Sequence, residues 1–496
     1  MRLTKPSVAA LAAAAVIATG STTVAEGTAQ AAQSYVIKIV TPGGPITAPQ
    51  NAGLRTLTSQ YERAHPNVKV QWELTNNSNV TAANATLETQ AAAGDAYDVV
   101  FEQYNTVLPG ALPNGLLQDI KPYLEQPNPY VPGNKHWLDL ISRSTLPYMT
   151  APNGSISILL ASDVETGMFY SKKAFAKAGI TSVPTTWAAM MGDFAKLKNV
   201  GITPFIFADG SFCNPSWYER LVATSMLHNQ IKSLDVDHAQ TSSGLDVVVG
   251  IKKGIISMNN PSYAEVWKLL GQLVSYSYPG ESTYDACSSP NATTPPLATL
   301  PLLVQGKVAV VWDGSWAFPQ LNSLGFANQY GVFTEPPITK ATTPLATGTV
   351  TTGLIGGPAG AGLWSITSEK ADHTMTPQKT AVVMNFLAWL FEPANLGYWI
   401  KINGQGAWIP TEPTAPAAAV PGLKSILPTA PVPAGVDILP DGVLGSAASN
   451  ASLRLIQEYV DGSLSYSSFS SAWQSLLISS ANQFVQQNHV DLKKYL

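Results

Sequence analysis

Between Tyr35 and Phe101 strand-type and helix-type segments alternate so regularly that the stretch predicts a sheet with helices on its faces. Tyr35–Thr41 (YVIKIVT) is a β-branched strand, ended by Pro42-Gly43-Gly44-Pro45. Leu54–Ala64 reads as a helix closed by His65-Pro66, because the residue before a proline resists the helical region. Val68–Leu74 alternates as a second strand, Val80–Ala93 has helical composition up to Gly94, and Asp98-Val99-Val100-Phe101 is a short, apolar third strand. Strand, helix, strand, helix, strand defines an α/β fold class with a parallel sheet. Further on, Pro184-Thr185-Thr186-Trp187 opens a helix to about Lys198, with Thr185 or Thr186 as its cap, and Thr380–Phe391 is another helix. Pro410–Pro440 holds eight prolines in 31 positions and is expected to run extended over the surface.

With 496 residues the chain has room for two or three domains. Only 12% of its residues are charged, 28 Lys and Arg against 32 Asp and Glu, where about 25% is usual. That excludes a basic nucleic-acid binder and a highly charged disordered chain. Hydrophobic residues at 45% supply large cores, and a net charge of -4 gives no strong steering of ionic partners. Twelve tryptophans among so few charges fit recognition of an uncharged ligand by flat apolar faces, although most tryptophans in any protein are core. Sparse charge also suits an acidic exterior, where carboxylates titrate.

The first residues, Met1-Arg2-Leu3-Thr4-Lys5, the apolar stretch Val8–Ala18 and the small-residue tripeptide Ala29-Gln30-Ala31 have the three-part form of a secretory signal peptide, spanning 1–31. No cysteine lies near the expected cleavage point for a lipid anchor, and one arginine gives no twin-arginine signal. The longest later apolar run, about Ala381–Phe391, is too short to cross a bilayer, which needs about 20 residues. The only cysteines, Cys213 and Cys287, either bond to each other, as an isolated extracytoplasmic pair usually does, or remain two buried thiols. Two thiols cannot build a zinc site, and the six histidines show no ligand spacing, so no metal or cofactor is expected.

Several ordered segments carry a resemblance. Tyr61-Glu62-Arg63-Ala64-His65-Pro66-Asn67-Val68-Lys69-Val70, Gly94-Asp95-Ala96-Tyr97-Asp98-Val99-Val100, Phe169-Tyr170-Ser171-Lys172-Lys173-Ala174-Phe175 with Ala178-Gly179-Ile180, Pro184-Thr185-Thr186-Trp187, and Gly306-Lys307-Val308-Ala309-Val310 with Gly314-Ser315-Trp316 resemble the sugar-type extracellular solute-binding proteins of ATP-binding-cassette importers. These are family 1, maltose-binding-protein-like chains. Ser171 stands where that family usually has Asn, and Tyr97 where proline is common. The resemblance implies a two-domain periplasmic-binding-protein type II fold, with crossing strands between the domains and a ligand cleft. Crossings are expected near 155–161, 330–335 and 401–409. Residues 33–156 plus 336–400 then form the N-terminal domain and 160–330 plus 405–496 the C-terminal one, with both cysteines in the latter. The partners implied are a small carbohydrate and a membrane permease, with no nucleic acid, for a monomer.

In open α/β sheets ligands sit at the carboxyl ends of strands. The third strand runs straight into Glu102-Gln103-Tyr104-Asn105, and Glu102, Gln103 and Tyr104 are candidate contacts, or else an ordinary polar loop. Asp163 and Glu165 follow the first crossing, and each carboxylate can accept sugar hydroxyls; a solvated loop acid is the alternative. Asp209 ends the apolar run Pro204–Ala208, with Trp217 shortly beyond. The apolar strand Val308–Val311 leads through Trp312, Asp313, Gly314 and Ser315 into Trp316, the first choice for an indole on which a pyranose ring stacks; Asp313 is a further candidate and Trp312 is read as core. Trp364, after the glycine-rich turn 356–362, and Trp408, at the third crossing, complete the set.

Enzyme motifs are missing. Leu363 replaces the lysine of a phosphate-binding loop, and there is neither G-x-S-x-G nor H-E-x-x-H. The expected role is capture of a mono- or oligosaccharide by hinge closure without chemistry, for sugar transport. The alternatives are a secreted carbohydrate-active enzyme with two placed carboxylates, or a binder of glycerol-phosphate or a polyamine. Which sugar binds is not legible.

Overall fold

The computed structural model describes residues 33–42, 52–75, 80–102, 111, 114–142, 145–150, 154–234, 236, 244–347, 357–358, 362–403, 407–412, 414–415, 420, 422–427 and 446–496. The expected leader, Gln103 and Tyr104 lie outside these residues. Within them the strands are β1 (Tyr35–Pro42), β2 (Val68–Thr75), β3 (Val99–Glu102), β4 (Leu159–Leu160), β5 (Ser162–Val164), β6 (Thr166–Ser171), β7 (Tyr284–Asp285), β8 (Leu297–Ala298), β9 (Val310–Gly314), β10 (Tyr330–Phe333), β11 (Gly357–Pro358), β12 (Leu363–Ile366) and β13 (Ile409–Pro410).

The N-terminal alternation produces parallel pairing. β1 lies between β2 and β3, with Ile39 opposite Trp72 on one side and Val99 on the other. The helices Ala52–Ala64 and Val80–Ala93 are the crossovers. Two later strands complete this sheet, in the order β2-β1-β3-β12-β4, and β12 runs antiparallel to both its neighbours. The helices Pro377–Leu390 and Pro393–Asn403 contribute to its apolar core, in which Ile37, Ile39, Val99, Leu159, Trp364, Phe386 and Trp399 are enclosed. This is the first lobe.

The second lobe is built on an antiparallel sheet, β10-β6-β9. Trp187–Asn199, Cys213–Leu234, Pro261–Val274, Ser446–Val460 and Tyr466–Gln487 are its main helices, and Phe194, Trp267, Trp312 and Trp473 lie in its core. The Thr186 hydroxyl accepts the Ala189 N–H at 3.2 Å and caps the helix that Trp187 begins. Cys213 and Cys287 are joined by a disulfide with Cα atoms 6.2 Å apart, between the first residue of Cys213–Leu234 and the loop after β7.

A third, small sheet, β11-β5-β13, joins the two lobes, with Asp163 opposite Pro358 on one side and Ile409 on the other. β5 leaves the first lobe after Ala161, which is still in that lobe's core, so the first crossing falls at 162–164 rather than 155–161. The segment expected to cross back at 330–335 is instead β10, paired with β6, and Ile338 and Ala346 pack in the second core. The partner of β5 on that side is β11, at 357–358. The expected crossings came from the resemblance, and no local pattern says which sheet a strand joins.

Candidate functional site

Trp316 sits where β9 gives way to a short helix, Ala317–Ser323. All five residues of β9 are buried, so the strand delivers its last side chains to the sheet edge without freedom. Gly314 shapes the turn into that helix. A Cβ there would fall inside the Trp316 ring, so the missing side chain is the seat into which the indole folds. The Ser315 N–H donates to the Glu165 carbonyl at 2.7 Å and ties this turn to the residue just after β5. Trp316 is half-buried. Its ring centroid lies 6.0 Å from that of Trp217, which lies 6.1 Å from that of Trp312. Of the three indoles, Trp312 is sealed and Trp217 nearly so, at 5% exposure. Trp217 therefore backs Trp316 rather than presenting a face of its own.

The acids named from the sequence are less exposed than loop acids. Asp313 is enclosed and accepts from the Thr299 hydroxyl at 3.0 Å and the Gly314 N–H at 2.8 Å. Burial drives its carboxyl well above the usual range, and these hydrogen bonds and one from Trp316 offset only part of that. Asp163 accepts from the Thr145 hydroxyl at 3.0 Å and is pushed up to about 7 by burial. Glu165, also buried, accepts the Thr166 N–H at 2.8 Å. Asp209 is sealed too, and neither carboxyl oxygen has a hydrogen-bond partner among the described residues. Burial, with Glu281 and Asp461 nearby, pushes it up to about 7, while Gln457 donates to its carbonyl at 2.7 Å.

Trp364 is fully enclosed at the centre of the first lobe. It stacks on Phe101 at 4.4 Å and meets Trp399 edge-on at 5.5 Å. It is a core residue, and the sequence reading of it as a ligand contact is corrected by this packing. Trp408 is half-buried against the first lobe's core and immediately precedes β13. Glu102 ends β3 opposite Leu363. The chain thus groups Trp316, Trp217, Asp313 and Glu165 at one sheet edge of the second lobe, places Asp163 and Trp408 on the neighbouring junction, and leaves Trp364 in the core and Asp209 beside Glu281.

Sequence reasoning missed Glu335 and Glu412. Glu335 accepts the Thr166 hydroxyl at 2.7 Å, and Glu412 accepts that of Thr414 at 2.8 Å. The only signal was position, since each closely follows a strand end. Cys213, Asp285 and Cys287 converge closely enough to suit a metal ion, but both sulfurs are spent on the disulfide. A separate open groove of about 340 Å³, lined by Ile180, Pro184, Asp193 and Lys196 among others, contains none of these residues.

Two α/β lobes joined by a sheet of crossing strands, with a half-exposed indole beside the junction, make up the architecture. A family model for bacterial extracellular solute-binding proteins matches residues 41–396, and the chain belongs to that family. No curated protein matches it. Among solved structures it is similar to a probable secreted solute-binding lipoprotein from Streptomyces coelicolor (16% identity, TM-score 0.64, covering 89% of this chain and 98% of that one). It is also similar to a family 1 extracellular solute-binding protein from Bifidobacterium longum subsp. infantis (16%, 0.63, 90% and 100%). A chitin oligosaccharide binding protein matches as well (18%, 0.60, 90% and 99%). At these identities the likeness establishes the two-domain fold. The family and these neighbours are binding proteins rather than enzymes. No helix among the described residues is long and apolar enough to cross a membrane.

Proposed function

We propose that this protein is the extracytoplasmic solute-binding component of an ATP-binding-cassette importer. It captures a neutral mono- or oligosaccharide by closing its lobes about the junction strands, and hands it unaltered to a membrane permease. Residues 1–31 are its leader, and it works as a monomer. The observation that carries this reading is the half-exposed Trp316 plate, seated on Gly314 and backed by Trp217, at a sheet edge tied to the crossing strands. Family membership supports it, as do structural neighbours that bind chitin oligosaccharide and raffinose.

The ligand acts by differential affinity: it touches both lobes only in the closed state and shifts the population toward it. A micromolar dissociation constant corresponds to about -8.2 kcal/mol. One stacked indole and several hydrogen bonds supply that after ordering costs. Calorimetry against mono- and oligosaccharides, polyamines and phosphorylated polyols identifies the solute class. For the saccharide that binds, Trp316→Ala weakens binding at least tenfold and leaves the melting temperature of the empty protein nearly unchanged. Unaltered affinity overturns the site, and turnover of an oligosaccharide overturns the binding-protein reading in favour of a glycosidase.

A further inference from the structure

Five carboxyl groups at the lobe junction and at the strand ends of the second lobe are sealed from solvent, with no cation paired to them among the described residues. Asp163, Asp209, Asp313, Glu335 and Glu412 are each 5% exposed or less. Three belong to the crossing region: Asp163 is on β5, Glu335 bonds to the first residue of β6, and Glu412 lies just past β13. There the Thr411 N–H donates to the Ala161 carbonyl and its hydroxyl to that of Leu160. Among the described residues none of the five forms an ion pair.

The groups facing them are few. Thr145 faces Asp163, while Thr166 and the Trp312 indole face Glu335. Thr414 and Glu392 face Glu412, and Glu281 and Asp461 face Asp209. Thr299, the Gly314 N–H, Trp316 and Asp285 face Asp313. Among the described residues every charged group named beside them is another acid. An ionised carboxylate buried without a cation is costly, and the group takes up a proton instead.

We propose that these carboxyls are neutral in the working state, so that the junction is assembled best in an acidic medium and the protein collects its solute there. The inference goes beyond the transport role and does not depend on which solute binds. Burial pushes Asp163, Asp209, Glu335 and Glu412 up to about 7, and Asp313 further. The folded chain then holds protons that the unfolded chain has released, so their stabilisation is complete below about pH 4 and is lost as pH rises through about 7. Asp372 in the first lobe is held below its ordinary value and acts oppositely, weakening the fold only in stronger acid. The sparse charge agrees with this arrangement: with 28 Lys and Arg in 496 residues there are few cations to spend on buried acids, and little repulsion builds up when surface acids protonate.

The test is thermal unfolding of the purified protein, without ligand, from pH 4 to 8 at constant ionic strength. The melting temperature is expected to be higher at pH 5 than at pH 8 by about 5 °C or more. The double variant Asp163→Asn/Glu335→Gln puts a neutral isostere where the protonated acid would be. It should leave the value at pH 5 nearly unchanged and raise the value at pH 8, flattening the profile. If that variant does not fold, Glu412→Gln is read in the same way. A wild-type maximum at pH 8, or amide variants that shift both values equally, overturns the proposal. Because no ligand is used, such a failure leaves the transport reading intact, and a failed saccharide screen leaves this one intact.

Discussion

Asp98 and Asp163 are both aspartates sealed inside the molecule, one immediately before β3 in the first lobe and one on the strand that leaves that lobe. Asp98 has Lys379 Nζ at 2.5 Å, which also reaches Asp372 at 3.7 Å, and accepts the Lys38 N–H at 2.7 Å. Asp163 has a threonine hydroxyl. Even with a cation in contact, burial holds Asp98 at about 6, and Asp163 reaches about 7. The first lobe therefore settles Asp98 partly by charge, whereas Asp163 at the junction settles by retaining a proton. Both carboxyls lie above the ordinary range, so both stabilise the fold more in acid, and the cation only holds Asp98 nearer that range.

Removing the cation erases the contrast. Lys379→Met strands Asp98 and Asp372 and should destabilise the protein by about 3–5 kcal/mol at pH 8. The loss should be smaller at pH 5, where Asp98 can take a proton as Asp163 does. Urea titrations at the two pH values measure it, and equal losses would mean that the ion pair is not what holds Asp98. Only the second lobe is covalently stapled, across a sequence separation of 74 residues. Cys213→Ala/Cys287→Ala should cost about 2–4 kcal/mol. Hydrogen exchange should place that loss in the second lobe, and a loss shared equally with the first would blur the two-lobe contrast. The smallest effect belongs to Asp313→Asn, which puts an amide where burial favours a protonated carboxyl. A change within about 1 kcal/mol is expected at pH 5; a larger one would mean that Asp313 is ionised.

The alternation from 35 to 102 was legible because β-branched runs, helical runs and Pro or Gly stops are local signals. The structure returns the same elements with ends shifted by a few residues. Trp316 stood out for the same reason, as an aromatic after a buried strand and a glycine. What failed to show was long-range. Trp364 looks like any tryptophan entering a strand until Phe101 and Trp399, from distant parts of the chain, close over it. Asp163 and Asp313 look like ligand carboxylates until Thr145 and Thr299 and the surrounding core reveal them as sealed. The segment 330–335 was expected to cross only from the resemblance, and the pairing of β10 with β6 is a choice of neighbour that no local pattern encodes.

The insertion of β12 between β3 and β4 has a consequence for biosynthesis. An interior strand of the first sheet is supplied by residues 363–366, about two hundred positions after β4 has been made. Until that segment leaves the ribosome, β3 and β4 have no strand to bridge them, and a fragment ending near residue 161 would present raw edges ready to aggregate. The first sheet therefore cannot close until residues 363–366 have been made, so its completion waits on most of the chain.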